Sequence, residues 1–179
     1  MLERSKPGSF SGLIVGDGPL REKITARATE AGLGARITFT GALPHAAVAA
    51  HLAVTDIYVS LNRYGNLSNA NLEAMAAGRC MLFLDEEPRE HIDEVTTHMV
   101  SRDIVERIPR ADTASALAHA CARLIDDPSE IERRARATAA LADTLCVRWN
   151  ERIAREIAVI REAAGTDRVA TNFQIEKAK

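Results

Sequence analysis

Aromatic side chains are scarce in this sequence: Phe, Trp and Tyr together make up 4% of its 179 residues. A surface built to stack nucleobases would carry more of them. Charge of one sign is also lacking. Lys+Arg number 23 against 25 Asp+Glu, a net charge of -2, which argues against the broadly basic surface of a general nucleic-acid binder. Three cysteines, Cys80, Cys121 and Cys146, are widely spaced and none stands in a C-x-x-C pair. They read as free thiols in a reducing cytoplasm rather than as a disulfide framework. No apolar run approaches the ~18–20 residues of a membrane-crossing helix. The stretch Met1 to Ser9 is polar, unlike a signal peptide. The five histidines (His45, His51, His91, His98 and His119) show no ligand pairing on one face, so no metal is expected.

What is present is an ordinary globular composition, 46% hydrophobic and 27% charged, long enough for one well-buried core. Gly12-Leu13-Ile14-Val15 reads as a short buried strand closed by Gly16-Asp17-Gly18-Pro19. A helix follows with Pro19 in its first turn and Leu20, Ile24 and Ala28 on one face, ended by Gly32 and Gly34. Arg36 to Thr40 is the next strand, stopped by Gly41, and Pro44 opens a helix with Val48 and Leu52 on its apolar face. Ile57-Tyr58-Val59-Ser60 is a third strand, followed by a loop from Leu61 to Leu67. Ser68 or Asn66 is placed to cap a helix running to Ala77, with Gly78 at its end. The run Cys80-Met81-Leu82-Phe83-Leu84 is typical of a central parallel strand. A short helix around Glu90 to Val95 and a weak strand near Met99 to Ser101 come next. Three helical segments then follow, Thr113–Ile125, Pro128–Leu145 and Arg148–Ala164, with Trp149 expected as a packing anchor. The organisation is a polar stretch over 1–10, one domain over 11–164 and a tail over 165–179.

Strand and helix alternating at this spacing imply βαβ units, and right-handed crossovers give a parallel sheet covered by helices on both faces. Ligands of such sheets sit at the carboxyl ends of the strands. That rule selects the loops Gly16–Pro19, Gly41–Pro44, Leu61–Ser68 and Asp85–Arg89. In the first, Gly16 and Gly18 permit a tight turn before a helix; the plainer reading is a simple turn with Asp17 as a local cap. The motif lacks the Lys-Ser/Thr of a P-loop. The acidic run Asp85, Glu86, Glu87 and Glu90 reads as a solvated loop, since its spacing does not suggest a metal site.

The informative stretch runs from Gly65 to Gly78. Small and polar residues crowd the start of its helix, leaving free N–H groups and the positive end of the helix dipole to meet an anion. A diphosphate would fit there without a metal ion. Leu72, Met75 and Ala76 form the packed face, while Asn69, Glu73 and Ala77 share a neighbouring one. Glu73 stands one turn behind the anion-binding end, with two acceptor oxygens suited to a ribose diol. Taken alone, such a glutamate is more often an exposed helical residue beside a capping serine.

Four segments in register carry a resemblance that reverses this weighting. They are Leu13 to Pro19, Ile37 to Pro44, Asp56 to Ser60, and Asn71-Leu72-Glu73-Ala74-Met75-Ala76-Ala77-Gly78. In order and spacing the run from Gly12 to about Trp149 resembles the C-terminal half of a group-one, family-four glycosyltransferase with the GT-B fold. The resemblance implies a Rossmann-like half that binds a nucleoside-diphosphate sugar as donor substrate, without a further cofactor. It implies that Glu73 holds the ribose, and that the amides of Asn69 and Ala70, behind Ser68, hold the diphosphate. Gly41 and Leu43 would lie against the base, with Gly16 and Gly18 bordering the cleft.

The chain departs from that pattern in two places. The resemblance places a carboxylate eight residues before Glu73, where this chain has Gly65 followed by Asn66, and no acidic residue occurs between Asn62 and Leu72. Asn66 can offer a hydrogen bond to a sugar hydroxyl but no negative charge. A strand with a Gly-Arg pair, a downstream Lys and an N-terminal acceptor domain are also expected before Gly12, where only a short polar stretch stands; Arg63 is an unsupported substitute cation. The expectation is therefore the donor-binding half of a retaining hexosyltransferase that has no catalytic residue to name and is inactive alone. It would need an acceptor domain or a separate partner chain. The alternative is a non-catalytic Rossmann-like nucleotide-binding or interaction module. An epimerase of related fold fits the helix around Glu73 less well.

Overall fold

The computed structural model of the chain describes residues 8, 10–62, 67–85 and 94–165. Strands and helices alternate as β1 (Gly12–Val15), α1 (Arg21–Glu30), β2 (Ile37–Gly41), α2 (His45–Ala53), β3 (Ile57–Ser60), α3 (Asn69–Ala76), β4 (Cys80–Leu84), α4 (Glu94–Met99) and β5 (Glu106–Ile108). Three helices complete the order: α5 (Thr113–Asp126), α6 (Pro128–Leu145) and α7 (Trp149–Ala163). The chain divides into two compact units, Met1–Ala142 and Asp143–Lys179, and every strand belongs to the first.

All strand pairs are parallel, as the alternation requires, and the fold is α/β and Rossmann-like. Among the described residues the strands form two hydrogen-bonded sheets rather than one: β1 pairs with β2, and β3-β4-β5 form a three-stranded sheet. Hydrophobic pattern identifies strands but does not choose their neighbours. The fifth strand also differs from expectation. It lies at Glu106–Ile108, whereas Met99 ends α4, because Leu82, Phe83 and Leu84 of β4 take Glu106, Arg107 and Ile108 as register partners.

β4 is the central strand, and no residue from Cys80 to Leu84 is more than 8% exposed. Cys80 and Leu82 pack with Ile108 of β5 and with Ala120 and Leu124 of α5, and Ile57, Leu117 and Ile131 close around them. Burial pushes the Cys80 thiol up to about 11, and all three cysteines are free.

Elsewhere burial departs from the periodicity. Leu13, Ile14 and Val15 of β1, expected inside, are 39%, 40% and 41% exposed. On the presumed apolar face of α1 only Ala28 is buried; Leu20 and Ile24 are exposed. Trp149 is 73% exposed, which removes its role as an anchor. Its indole stands at the first position of α7, where the helix has no earlier turn to pack on. Among the described residues no helix is long and apolar enough to cross a membrane.

A charge network centred on the buried Arg134 ties α6 to β5. Arg134 reaches Glu130 at 2.7 Å and Glu106 at 3.1 Å, and Arg133 holds Glu130 at 2.6 Å. Hydrogen bonds from Arg133 and then Arg134 pull the Glu130 carboxyl from its ordinary 4.5 down to about 2. A carboxyl lowered on folding stabilises the folded chain above its unfolded value, and that contribution is lost as pH falls through the folded value. Melting temperature should therefore fall on acidification from about pH 4.5 to about 2, and more shallowly in Glu130→Gln. Parallel melts of both proteins across that window test this. Equal slopes would mean the Arg133 and Arg134 contacts are absent in solution.

Candidate donor site at the carboxyl ends of the strands

The loop after β1 and the end of β2 meet directly. Gly16 N–H donates to the Gly41 carbonyl at 2.9 Å. Both glycines hold positive φ, +123° and +70°, which L side chains rarely adopt. At Gly41 a Cβ would also stand 3.0 Å from Nη1 of Arg21. Arg21 in turn pairs with Asp17 at 3.0 Å, and the other Asp17 oxygen accepts the Gly18 N–H at 2.8 Å. Asp17 thus engages the Gly18 amide but does not cap α1, whose N-cap is Leu20 and receives no side-chain hydrogen bond. Arg21, the cation beside Gly41, is paired with Asp17.

The start of α3 is built differently. Ser68 is its N-cap, its Oγ accepting the Asn71 N–H at 3.3 Å, and the Leu72 N–H donates to the Ser68 carbonyl at 3.0 Å. The N–H groups of Asn69 and Ala70 are bound to nothing among the described residues, and both positions are exposed. Two such donors at the positive end of a helix are the kind of groups that an anion can meet.

The buried face of α3 is Asn71, Ala74 and Met75, not the expected Leu72, Met75 and Ala76; Ala76 is exposed. The rotation has a polar cause. Asn71 is 2% exposed, and its Oδ1 accepts the Tyr58 hydroxyl of β3 at 3.1 Å. A buried amide with a partner costs little, so it can displace Leu72 from the inner face. Burial first, and then the Glu73 carboxylate, raise the Tyr58 phenol above its ordinary 10.0, which keeps it a donor.

Glu73 lies beside this face, half-buried, and its Oε1 is 3.2 Å from Nε2 of His45 at the start of α2. The loop Gly41–Pro44 leads directly into His45, so this contact brings α3 and the end of β2 together. Leu43 in that loop is half-buried. His45, Tyr58 and Asn71 were not singled out as site residues by sequence reasoning. Their contacts cross between elements, and no local spacing signals them.

At the end of β4, Asp85 is paired rather than loosely solvated. Arg102 forks onto its carboxylate at 2.8 and 3.1 Å, and Nε of Arg110 donates to its carbonyl at 2.7 Å. The negative charge of Asp85 is thereby offset. Gly65, Asn66, Arg63, Glu86, Glu87, Glu90 and His91 lie outside the described residues. No hydrogen bond or ion pair joins Gly16 or Gly41 directly to Ser68 among the described residues. Among them, too, no group of three or more His, Cys, Asp or Glu is placed to hold a metal ion.

Residues 2–127 match the family described as glycosyl transferases group 1. The chain is 31% identical over 154 residues to the 2-deoxystreptamine N-acetyl-D-glucosaminyltransferase of Streptomyces fradiae, covering 85% of this chain and 34% of that one. It is 31% identical over 130 residues to the alpha-D-kanosaminyltransferase of Streptomyces kanamyceticus, covering 72% of this chain and 32% of that one. The chain thus spans about a third of the length of these curated relatives. In fold it is similar to sucrose-phosphate synthase from Thermosynechococcus elongatus, with a TM-score of 0.69 at 22% identity, over 86% of this chain and 38% of that one.

Proposed function

Because the chain belongs to the glycosyl transferases group 1 family and has the Rossmann-like fold of its GT-B neighbours, we propose that it is the donor-binding, C-terminal half of a retaining hexosyltransferase. The observation that carries this reading is the pair of free amides at Asn69 and Ala70 with Glu73 one turn behind them. The amides take the diphosphate, and Glu73 takes the ribose diol. Gly41 and Leu43 border the base, and Asn66, or the backbone at Gly65, meets the sugar. His45, held against Glu73, sets the angle of its carboxylate.

In the reaction the bond from the anomeric carbon to the diphosphate oxygen breaks, and the electron pair leaves with the phosphate. The acceptor oxygen forms its bond to the same face of that carbon and passes its proton to the departing phosphate oxygen. This chain's part is positioning the donor and stabilising the negative charge that grows on the leaving group. The names of its relatives support a glucose-type or aminoglucose donor and an aminocyclitol acceptor. The acceptor surface belongs to polypeptide beyond these residues, a further domain or a partner chain.

Each charge-assisted hydrogen bond nets ~1.5–3 kcal/mol against an association cost of at least ~4 kcal/mol, so millimolar affinity for a nucleoside diphosphate is expected. Chemical-shift titration with UDP, GDP and ADP tests the site, with perturbations expected at Asn69, Ala70 and Glu73. The chain alone should transfer no sugar. Saturation by none of the three nucleotides would remove the donor-site reading, and transfer by the isolated chain would remove the half-site reading. A chain that binds nucleotide but never supports transfer with any supplied acceptor half would be a non-catalytic module.

A further inference from the structure

The apolar residues of α3 hardly choose its rotation. Ala70, Leu72, Ala74, Met75 and Ala76 fall on every side of the axis at about 100° per residue. Burying one alanine rather than another distinguishes poorly between rolls of such a helix. Two inward faces compete, Leu72–Met75–Ala76 and Asn71–Ala74–Met75, and they differ by one residue, or about 100° of roll. The first is the more apolar, yet the second is buried. Asn71 is 2% exposed, whereas Leu72 is half-buried and Ala76 is exposed.

A polar contact selects the second face. The Tyr58 hydroxyl of β3 donates to Asn71 Oδ1 at 3.1 Å, and the Asn71 N–H donates to Ser68 Oγ at 3.3 Å. One residue thus joins the cap of α3 to the strand it packs on. With Asn71 turned inward, the direction of every other side chain of the helix is fixed. Glu73 follows two positions later, about 200° round the axis. That carries it toward α2, where its Oε1 lies 3.2 Å from Nε2 of His45. A roll that brought Leu72 inward would swing Glu73 by about 100°. Tyr58 also feels this carboxylate: after burial, Glu73 is the second cause that raises its phenol above the ordinary 10.0. Buried polar residues are best attested as devices that fix one register where apolar packing permits several.

We propose that the Tyr58–Asn71 pair is a rotational lock: the two are positioning residues that hold α3 in the roll which aims Glu73, and with it the Asn69 and Ala70 amides, at the donor. Neither side chain touches the nucleotide in this scheme. The lock itself concerns the unliganded helix; only what Glu73 and the amides grip rests on the donor-site reading above.

The test compares the full chain with Tyr58→Phe, Asn71→Leu and the two combined. The double variant replaces both polar partners by apolar groups of similar shape, so its melting temperature should stay close to that of the unmodified chain. Two readouts then separate a lock from a merely structural contact. The first needs no nucleotide. Glu73→Gln should move the His45 imidazole resonances of the unmodified chain, and this response should be largely lost when Glu73→Gln is made in the double variant. The second is the ratio of affinities for a nucleoside diphosphate and its 2′,3′-dideoxy form, which should fall about tenfold in the double variant although melting is retained. An undiminished His45 response overturns the lock, whether or not nucleotide binds. Full ribose discrimination in a folded double variant overturns the aim at the donor. If no nucleotide saturates the unmodified chain, the donor-site reading fails and the His45 response still decides the lock. Should the double variant not fold, Tyr58→Phe alone, which keeps the ring and its packing, is read in the same two ways, and no change in either readout overturns the proposal.

Discussion

Glu73→Ala lowers affinity for a nucleoside diphosphate by about ten- to a hundredfold and leaves the fold intact. Loss of hydrogen bonds from a charged group to a ribose diol costs roughly 1.5–3 kcal/mol, which converts to that range. The fold should survive because Glu73 lies beside the buried Asn71–Ala74–Met75 face and its removal opens no cavity. Alanine is also the strongest helix former. The His45 contact that the substitution breaks is open to water, with the imidazole side chain 83% exposed, so its loss adds little to stability. A 2′,3′-dideoxy nucleotide should bind the unmodified chain as poorly as the ordinary nucleotide binds the variant, since both lack the same contact. Chemical-shift titrations read both, with a thermal melt as the folding control. Unchanged affinity would place the ribose elsewhere; an unfolded variant would make Glu73 a structural residue.

The second large effect is on stability. Leu82→Ala empties a fully buried position between Ile108 and Leu124, and should cost about 2–5 kcal/mol. Domains of this size have only about 5–15 kcal/mol in hand, and each kcal/mol shifts melting by about 2–4 °C. A fall of about 4–20 °C is expected. Leu13→Ala makes the same chemical change on β1, where the side chain is 39% exposed, and should cost much less. Denaturant melts of the two variants compare the strands directly. A larger loss for Leu13→Ala would mean that β1, not β4, is at the centre of the folded protein in solution.

Sequence reading works where signals are local. The helix α3 was legible because its marks lie side by side: a serine followed by small polar residues, then an apolar repeat, then Gly78. The cap formed as expected, with Ser68 accepting from Asn71. The buried face was not legible, because Asn71 reads as surface until Tyr58, thirteen positions away and on another strand, supplies its partner. The contact of His45 with Glu73 escaped for the same reason. The short apolar run at Met99 to Ser101 suggests a fifth strand, whereas pairing with β4 puts that strand at Glu106–Ile108. A three-residue strand has too little pattern to be found without its neighbour.

The order of the elements, the parallel α/β class, the extent of the long helices and the central place of Cys80–Leu84 are all readable from the chain's own residues. Caps, stop signals and hydrophobic period act within a few positions. Three things needed the folded chain: which of two equally apolar strands is sealed, how the strands divide between two sheets, and which charges meet. Leu13-Ile14-Val15 and Met81-Leu82-Phe83 have the same local preference for extended, buried backbone. What separates them is the number of strands beside them. Burial and hydrogen bonding depend on partners brought from far along the chain, and local periodicity does not specify them.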